Sequence, residues 1–336
     1  MRCIEQSPGR ILHSFEHDAR PMTGLPANTT PEKFSDPQWT AKGEPRAWVD
    51  PVALDTLWFN TGTLCNLACT HCYIESTPSN DRLVYLTAAE VAGYLDEIER
   101  EGLRTAEIGF TGGEPFMNPD FIAMLGDALG RGFRVLVLTN AMRPMEKRQA
   151  ELLDLQQRYG ERLEIRVSVD HYAPTQHETE RGPRSWQPML RGLKWLSEHG
   201  FNLSAAGRTM WGEDEPAMRA GFARLFRDEA IHINTDDPRH LMLFPEMDEQ
   251  AEVPEITTAC WSILDVSPND MMCASSRMVI KRKGEARPVV ATCTHPPHPA
   301  HPSSGHAMLA SRRLAPSIPP PLHDIRSRRL PATAPP

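Results

Sequence analysis

The sequence predicts an α/β fold: a partial (β/α)6, TIM-like barrel with an irregular N-terminal extension and a disordered Pro-rich C-terminal tail. Three observations lead there. Six short apolar runs alternate with amphipathic stretches between Leu54 and Phe244, which implies parallel crossovers. Six units fall two short of the eight that close a barrel. Residues suited to chemistry follow directly after the apolar runs, at the strand ends where such barrels build their sites. A doubly wound sheet also binds ligands there, so the third observation locates a site more firmly than it settles the architecture.

The elements follow in order. Residues 1–50 are polar, Pro-containing and without periodicity, and read as a loosely ordered extension. Thr56-Leu57-Trp58-Phe59 is a short strand opening a barrel over 51–250. Thr87 and Glu90 form a capping box for a helix whose apolar face is Val91, Leu95 and Ile98. Ala106–Phe110 is the second strand. Asn118-Pro119 suggests a cap and first-turn proline for a helix carrying Phe121, Met124, Leu125 and Ala128. Val135–Leu138 reads as a strand buried on both faces. Residues 145–159 read as one helix ended by Gly160, and Leu163–Val169 as the fourth strand. Ser185–His199 is a helix with Met189, Leu193 and Leu196 on one face. Asn202–Ala206 is a strand, Pro216–Arg227 a helix, and Leu241–Phe244 the sixth strand.

Residues 251–293 read as the remnant of a C-terminal region, and 294–336 as a separate tail. The tail holds 11 of the 31 prolines and no Lys, Glu, Phe, Tyr, Trp or Cys. Such a composition cannot bury a core. It is expected to be disordered, either as a native Pro-rich linker or as the product of a reading-frame shift.

The net charge is −8, and the tail carries five Arg against one acid, Asp324, so the body is more acidic still. That argues against nucleic acid and anionic membrane as partners. No apolar stretch approaches the roughly 20 residues of a membrane span, and the N-terminus has no apolar signal core. A cytoplasmic location is expected. Seven cysteines, three of them clustered, then read as metal binding before disulfides.

The cluster is Cys65-Asn-Leu-Ala-Cys69-Thr-His-Cys72, on a loop after the first strand. Soft thiolates suit iron–sulfur centres. A cubic cluster held there would have three irons capped by protein and one left open for chemistry. Structural zinc usually takes four ligands, for which His71 is the nearest addition. An electron-transfer ferredoxin site would normally show a fourth Cys, and none lies between Cys72 and Cys260. A second motif, Gly112-Gly113-Glu114-Pro115, follows the second strand. Its glycines allow close backbone approach, although alone it is only a turn.

Together, over about residues 54–245, the two motifs resemble the signature of the radical SAM enzymes. Cys-Asn-Leu-Ala-Cys-Thr-His-Cys-Tyr and Ser168-Val-Asp170 are most similar to the branch that modifies peptides or builds cofactors from them. The resemblance implies that Cys65, Cys69 and Cys72 hold a [4Fe–4S] cluster whose fourth iron chelates S-adenosylmethionine. Reductive cleavage would then give methionine and a 5′-deoxyadenosyl radical, which abstracts hydrogen from an unknown substrate, a peptide in that branch. It implies that Gly112, Gly113, Glu114 and Pro115 meet the amino end of S-adenosylmethionine, and that Ser168 and Asp170 meet its ribose and methionyl end. Asn140 and Arg208, both at strand ends, join this set, Arg208 as a partner for the carboxylate, whereas Arg181 reads as a surface residue. His71 stands at a position that is often aromatic in the family and is placed to stack near adenine. The partner implied is a small flavodoxin- or ferredoxin-like electron donor. Cys260, Cys273 and Cys293 resemble an auxiliary-cluster region, but Pro268 stands where that pattern has Gly, and three buried thiols are the simpler reading. The alternatives are a non-catalytic iron–sulfur electron carrier or redox sensor, and a zinc-stabilised binding protein.

Overall fold

The computed structural model describes residues 33–36, 38–245 and 254–291. The expected tail, Cys3 and Cys293 lie outside the described residues. Among those described, eight strands form one sheet in the order β6-β5-β4-β3-β2-β1-β7-β8. Six match the expected units: β1 (Thr56–Asn60), β2 (Glu107–Thr111), β3 (Arg134–Thr139), β4 (Leu163–Asp170), β5 (Asn202–Arg208) and β6 (Leu241–Phe244). All neighbours among these six pair in parallel. The sheet keeps two edges, as expected of an open barrel rather than a closed one.

Helices α1 (Ala88–Arg100), α2 (Phe121–Gly130), α3 (Arg143–Glu146), α4 (Gln149–Tyr159), α5 (Pro174–Arg181), α6 (Trp186–Glu198) and α7 (Glu215–Asp228) supply the crossovers. The capping box of Thr87 and Glu90 is formed in both directions. The apolar stripe of α1 (Val91, Leu95, Ile98) is buried against one sheet face together with Leu57, Phe59, Ile108 and Phe110. Burying one such aliphatic or aromatic side chain contributes about 1.5–3 kcal/mol, so this layer fixes which sheet face turns inward.

Alternation along β4 shows the consequence. Leu163, Ile165, Val167 and Val169 are buried under the helices. Glu164, Arg166 and Ser168 are half-buried on the opposite face. There Arg166 Nη2 donates to Glu164 Oε1 at 2.9 Å, and Ser204 Oγ donates to the same oxygen at 2.6 Å. Polar side chains thus occupy the face that leads up to the strand ends.

The structure departs from expectation in five places. The helix after the second motif begins at Phe121, with Asp120 at its N-cap. Asn118 is committed elsewhere: its Nδ2 donates to Leu86 O at 2.9 Å and Thr61 O at 3.3 Å, and its Oδ1 accepts from Asp120 N. The single helix expected over 145–159 is two, α3 and α4, separated by a turn that Arg148 N–H closes onto Met145 O. The turn lets Met145, Leu152 and Leu155 all reach the core. Helix α5 was not foreseen, because Pro174–Arg181 is polar throughout and its buried residues are His177 and Glu180.

Two further strands extend the β1 edge: β7 (Ser276–Ile280), parallel to β1, and β8 (Val289–Ala291), antiparallel to β7. They close a second small core of Leu83, Met278, Ile280, Val289 and Ala291 around Trp58. Finally, the extension is fastened rather than loose where it is described. Arg46 pairs with Glu255, Ala47 N–H donates to Ile256 O, and Thr258 N–H donates to Pro45 O. The short helices α8 (Cys260–Ile263) and α9 (Met272–Ser275) lie beside this junction.

Candidate active site

The cysteine loop is held from both sides. On one side lie Gly112 and Gly113, just past β2. Gly113 N–H donates to Gly62 O at 2.8 Å, and Glu114 N–H donates to Leu64 O at 3.1 Å. Gly112 has φ +139°, and a Cβ there would sit 2.6 Å from Gly62 O; a Cβ on Gly113 would sit 2.1 Å from Leu64 O. The two glycines therefore allow the second motif to lie directly against the chain that leads into Cys65. Pro115 begins a single 3-10 turn, Pro115–Met117, capped by Glu114.

Glu114 is buried, and both carboxylate oxygens are engaged. Oε1 accepts from Thr139 Oγ1 at 2.8 Å and from Phe116 N–H at 3.3 Å, and Oε2 accepts from Asn140 N–H at 2.9 Å. Burial pushes this carboxyl up to about 7, against the pull of those hydrogen bonds. Asn140 in turn reaches the loop: its Nδ2 donates to Asn66 Oδ1 at 2.9 Å and lies 3.9 Å from Cys65 Sγ. The end of β3 is thus coupled to the first cysteine through one carboxylate and one amide.

On the other side the loop meets α5. Thr70 N–H donates to Glu180 O at 2.9 Å. His71 N–H donates to Glu180 Oε1 at 2.9 Å, and its Nδ1 lies 2.7 Å from Glu180 Oε2. Arg208, at the end of β5, donates from Nη2 to His71 O at 3.1 Å. The expectation that His71 faces adenine meets a ring whose Nδ1 is drawn to Glu180.

Asp170 ends β4 at a register shift, with φ +62°. Its carboxylate faces two guanidinium groups, with Arg181 Nε 2.7 Å from Oδ2 and Arg208 Nε 3.4 Å from Oδ1. Burial pushes the Asp170 carboxyl up, and Arg181 and Arg208 overcome it, leaving the group below the ordinary carboxylate range. Arg181 is therefore not a surface residue. Its side chain is 11% exposed and paired at the centre of the site. Ser168 is half-buried two residues earlier, on the other side of the register shift.

The three thiols are free and lie close together: Cys69 and Cys72 both act on the Cys65 thiol, and Cys72 on Cys69. Burial, followed by the Glu114 carboxylate, pushes Cys65 up to about 12. Cys69 is raised by burial and relieved by Arg181. Cys65 Sγ accepts from Leu67 N–H at 3.4 Å, and Cys72 Sγ from Ser76 N–H at 3.2 Å. Among the described residues no group of three His, Cys, Asp or Glu side chains could hold a single metal ion.

These residues fit a thiolate-bound cluster and a charged organic ligand on two grounds. Arg181 places a buried positive charge beside Cys69 and Cys65, where thiolates must form when a cluster binds. Asp170 Oδ2 and Arg181 Nε, although close, are misaligned for a hydrogen bond, so each keeps hydrogen-bonding capacity in a buried position. Every strand-end residue expected from the sequence is brought to this end of the sheet. Sequence reasoning missed Glu180 and the buried place of Arg181; the signal available was a polar helix carrying both signs of charge directly after β4. It missed His177 as well, buried with Nδ1 2.6 Å from Val169 O. Cys260 and Cys273 lie near the N-terminal junction, and Cys260 Sγ accepts from Thr257 N–H at 3.4 Å.

Residues 59–215 match the Radical SAM superfamily. Over 160 residues the chain is 32% identical to the antilisterial bacteriocin subtilosin biosynthesis protein AlbA of Bacillus subtilis, across 46% of this chain and 34% of AlbA. Over 137 residues it is 29% identical to mycofactocin maturase MftC of Mycolicibacterium smegmatis, across 41% of this chain and 33% of MftC. The chain spans about a third of the length of these curated relatives. The crystal structure of Streptococcus suis SuiB bound to S-adenosylmethionine shares the fold, with a TM-score of 0.52 at 11% identity, over 72% of this chain and 60% of SuiB. No helix among the described residues is long and apolar enough to cross a membrane. With the paired motifs at the carboxyl ends of β1 and β2 and the partial barrel beneath them, these matches establish that residues 59–215 of this chain form a radical SAM superfamily domain.

Proposed function

We propose that this chain is a cytoplasmic radical SAM enzyme that modifies a peptide. Cys65, Cys69 and Cys72 would hold a [4Fe–4S] cluster. When bound, the cluster and S-adenosylmethionine would together supply reductive cleavage to methionine and a hydrogen-abstracting 5′-deoxyadenosyl radical. The observation that carries the reading is the loop itself. Three close thiols, with no fourth cysteine beside them among the described residues, are pinned between the Gly112–Glu114 backbone and the Glu180–Arg208 pair.

The chain's own residues divide the remaining work. Gly112 and Gly113 bring the second motif against the loop, and Glu114 holds Asn140, which touches the Cys65 side. Asp170 and Arg181 present a buried carboxylate and a buried guanidinium to a zwitterionic ligand, and Arg208 ties them to His71. Ser168, two residues before Asp170, would meet a hydroxyl-bearing part of that ligand. Burial of this set excludes water from a reactive centre.

The peptide substrate is supported by the names of the relatives, a bacteriocin biosynthesis protein and a mycofactocin maturase, and by SuiB, which has been crystallised bound to precursor peptide SuiA. A reduced flavodoxin- or ferredoxin-like protein would supply the electron. The test is anaerobic reconstitution followed by incubation with S-adenosylmethionine and dithionite. Formation of 5′-deoxyadenosine is expected, and Cys69→Ala should abolish both the cluster absorbance and the product. Full cleavage by that variant refutes the assignment, whereas a cluster without cleavage would mark an electron carrier.

A further inference from the structure

We infer that a basic groove beside Cys65 docks an acidic one-electron donor protein of the flavodoxin or ferredoxin class. This rests on the proposed function and adds the surface through which the electron enters. The groove has a volume of about 720 Å³ and is lined by seven residues, among them Asn66, Phe116, Arg143, Lys147 and Arg148. Three of the seven are cations and none is a carboxylate. The chain as a whole carries −8, so at long range it repels an acidic protein, and a local reversal of sign is what can hold one.

The cations are available. Arg143 and Lys147 are exposed, lie four residues apart at α3, and have no side-chain partner among the described residues. Arg148 is shared with Glu151 at 3.2 Å. The one carboxylate within α3, Glu146, leans away toward Arg191. Such a patch concentrates and orients an oppositely charged partner.

The position suits electron entry. Asn66 lines the groove and is bonded directly to Cys65. Asn140 bridges the two, donating to Asn66 Oδ1 at 2.9 Å and lying 3.9 Å from Cys65 Sγ. A donor seated there is one residue from a proposed cluster ligand. The opposite side of the loop offers no comparable attraction, because Arg181 and Arg208 are set against Asp170 and Glu180. The step is the transfer of one electron: the donor's reduced cofactor is oxidised, the cluster is reduced by one, and no atom changes place.

The experiment measures the affinity of a purified flavodoxin for the reconstituted full chain at low and at high salt, with wild type and with the double variant Arg143→Glu/Lys147→Glu. The wild type should bind in a salt-dependent manner, and the variant should lose about tenfold or more in affinity together with most of the salt dependence. Bleaching of the cluster by reduced flavodoxin should slow in step, while bleaching by dithionite, which needs no docking, stays the same. Equal affinity in both proteins would overturn the inference. So would a variant that keeps flavodoxin binding but loses binding of a poly-glutamate peptide, which would mark the groove as a peptide site. Failure of the wild type to assemble a cluster would instead sink the proposed function, while the binding isotherm still reads the groove.

Discussion

Glu180 grips His71 at two points, accepting from its backbone N–H at 2.9 Å and lying 2.7 Å from its Nδ1. A helix that follows β4 thereby holds the middle of a loop that follows β1. Hydrogen bonds to a charged group contribute about 1.5–3 kcal/mol. Glu180→Ala should therefore speed amide exchange over residues 70–73 by about tenfold or more, read by hydrogen–deuterium exchange mass spectrometry. Exchange equal to wild type would show that the loop is held by its other contacts alone.

The approach of the second motif to the loop has its own test. A Cβ at Gly113 would lie 2.1 Å from the Leu64 carbonyl, which is backbone and cannot swing aside. Gly113→Ala should lower Tm by about 5 °C or more. Gly93, in α1 with nothing within 4 Å of its added Cβ, is the control: Gly93→Ala should leave Tm unchanged or raise it slightly.

Glu114 makes the stability of the metal-free protein depend on pH. Its carboxyl is pushed up to about 7 by burial, against an ordinary value of 4.5. Between those values the folded chain holds a proton that the unfolded chain has released, so stability should fall as pH rises through the window. Glu114→Gln should flatten that slope. It should also cost about 1–3 kcal/mol, because an amide cannot accept from all three of Thr139, Asn140 and Phe116. Thermal melts at pH 5 to pH 8 read both effects.

Asp170 titrates in the opposite sense. Its pKa is held below the ordinary value by Arg181 and Arg208 against the cost of burial. Its contribution to stability is present above that ordinary value and lost as pH falls through the lowered one. Asp170→Asn tolerates the same φ of +62°, so it removes charge without backbone strain. It leaves Arg181 buried and uncompensated, at a cost of about 3–5 kcal/mol. Denaturant melts at neutral pH should show that loss, and acid melts should show a weaker dependence on pH than in wild type.

Much of this fold was legible in the sequence because its signals are local. Apolar runs marked the six parallel strands, down to the limits of β6 at Leu241 and Phe244. The cysteine spacing and Gly112–Pro115 marked the two loops that meet. What was hidden depended on partners distant in the chain. Nothing within Pro174–Arg181 shows that Glu180 will reach His71, or that Arg181 will be buried against Asp170, since a polar helix normally faces water. β7 escaped notice because it opens on Ser276 and Arg277. Both are buried here, and Arg277 donates to the carbonyls of Cys273 and Ser276. The doubling of α3 and α4 follows from packing Met145 and Leu152 together, which no periodicity records.

The most direct test of the central assignment is iron content with Mössbauer spectroscopy on the anaerobically reconstituted full chain, before and after S-adenosylmethionine is added. The account predicts one [4Fe–4S] cluster lost on substitution of Cys65, Cys69 or Cys72, with a single iron site whose signal shifts when the sulfonium compound binds. An iron-free protein, or a cluster whose four irons all ignore that compound, would contradict it.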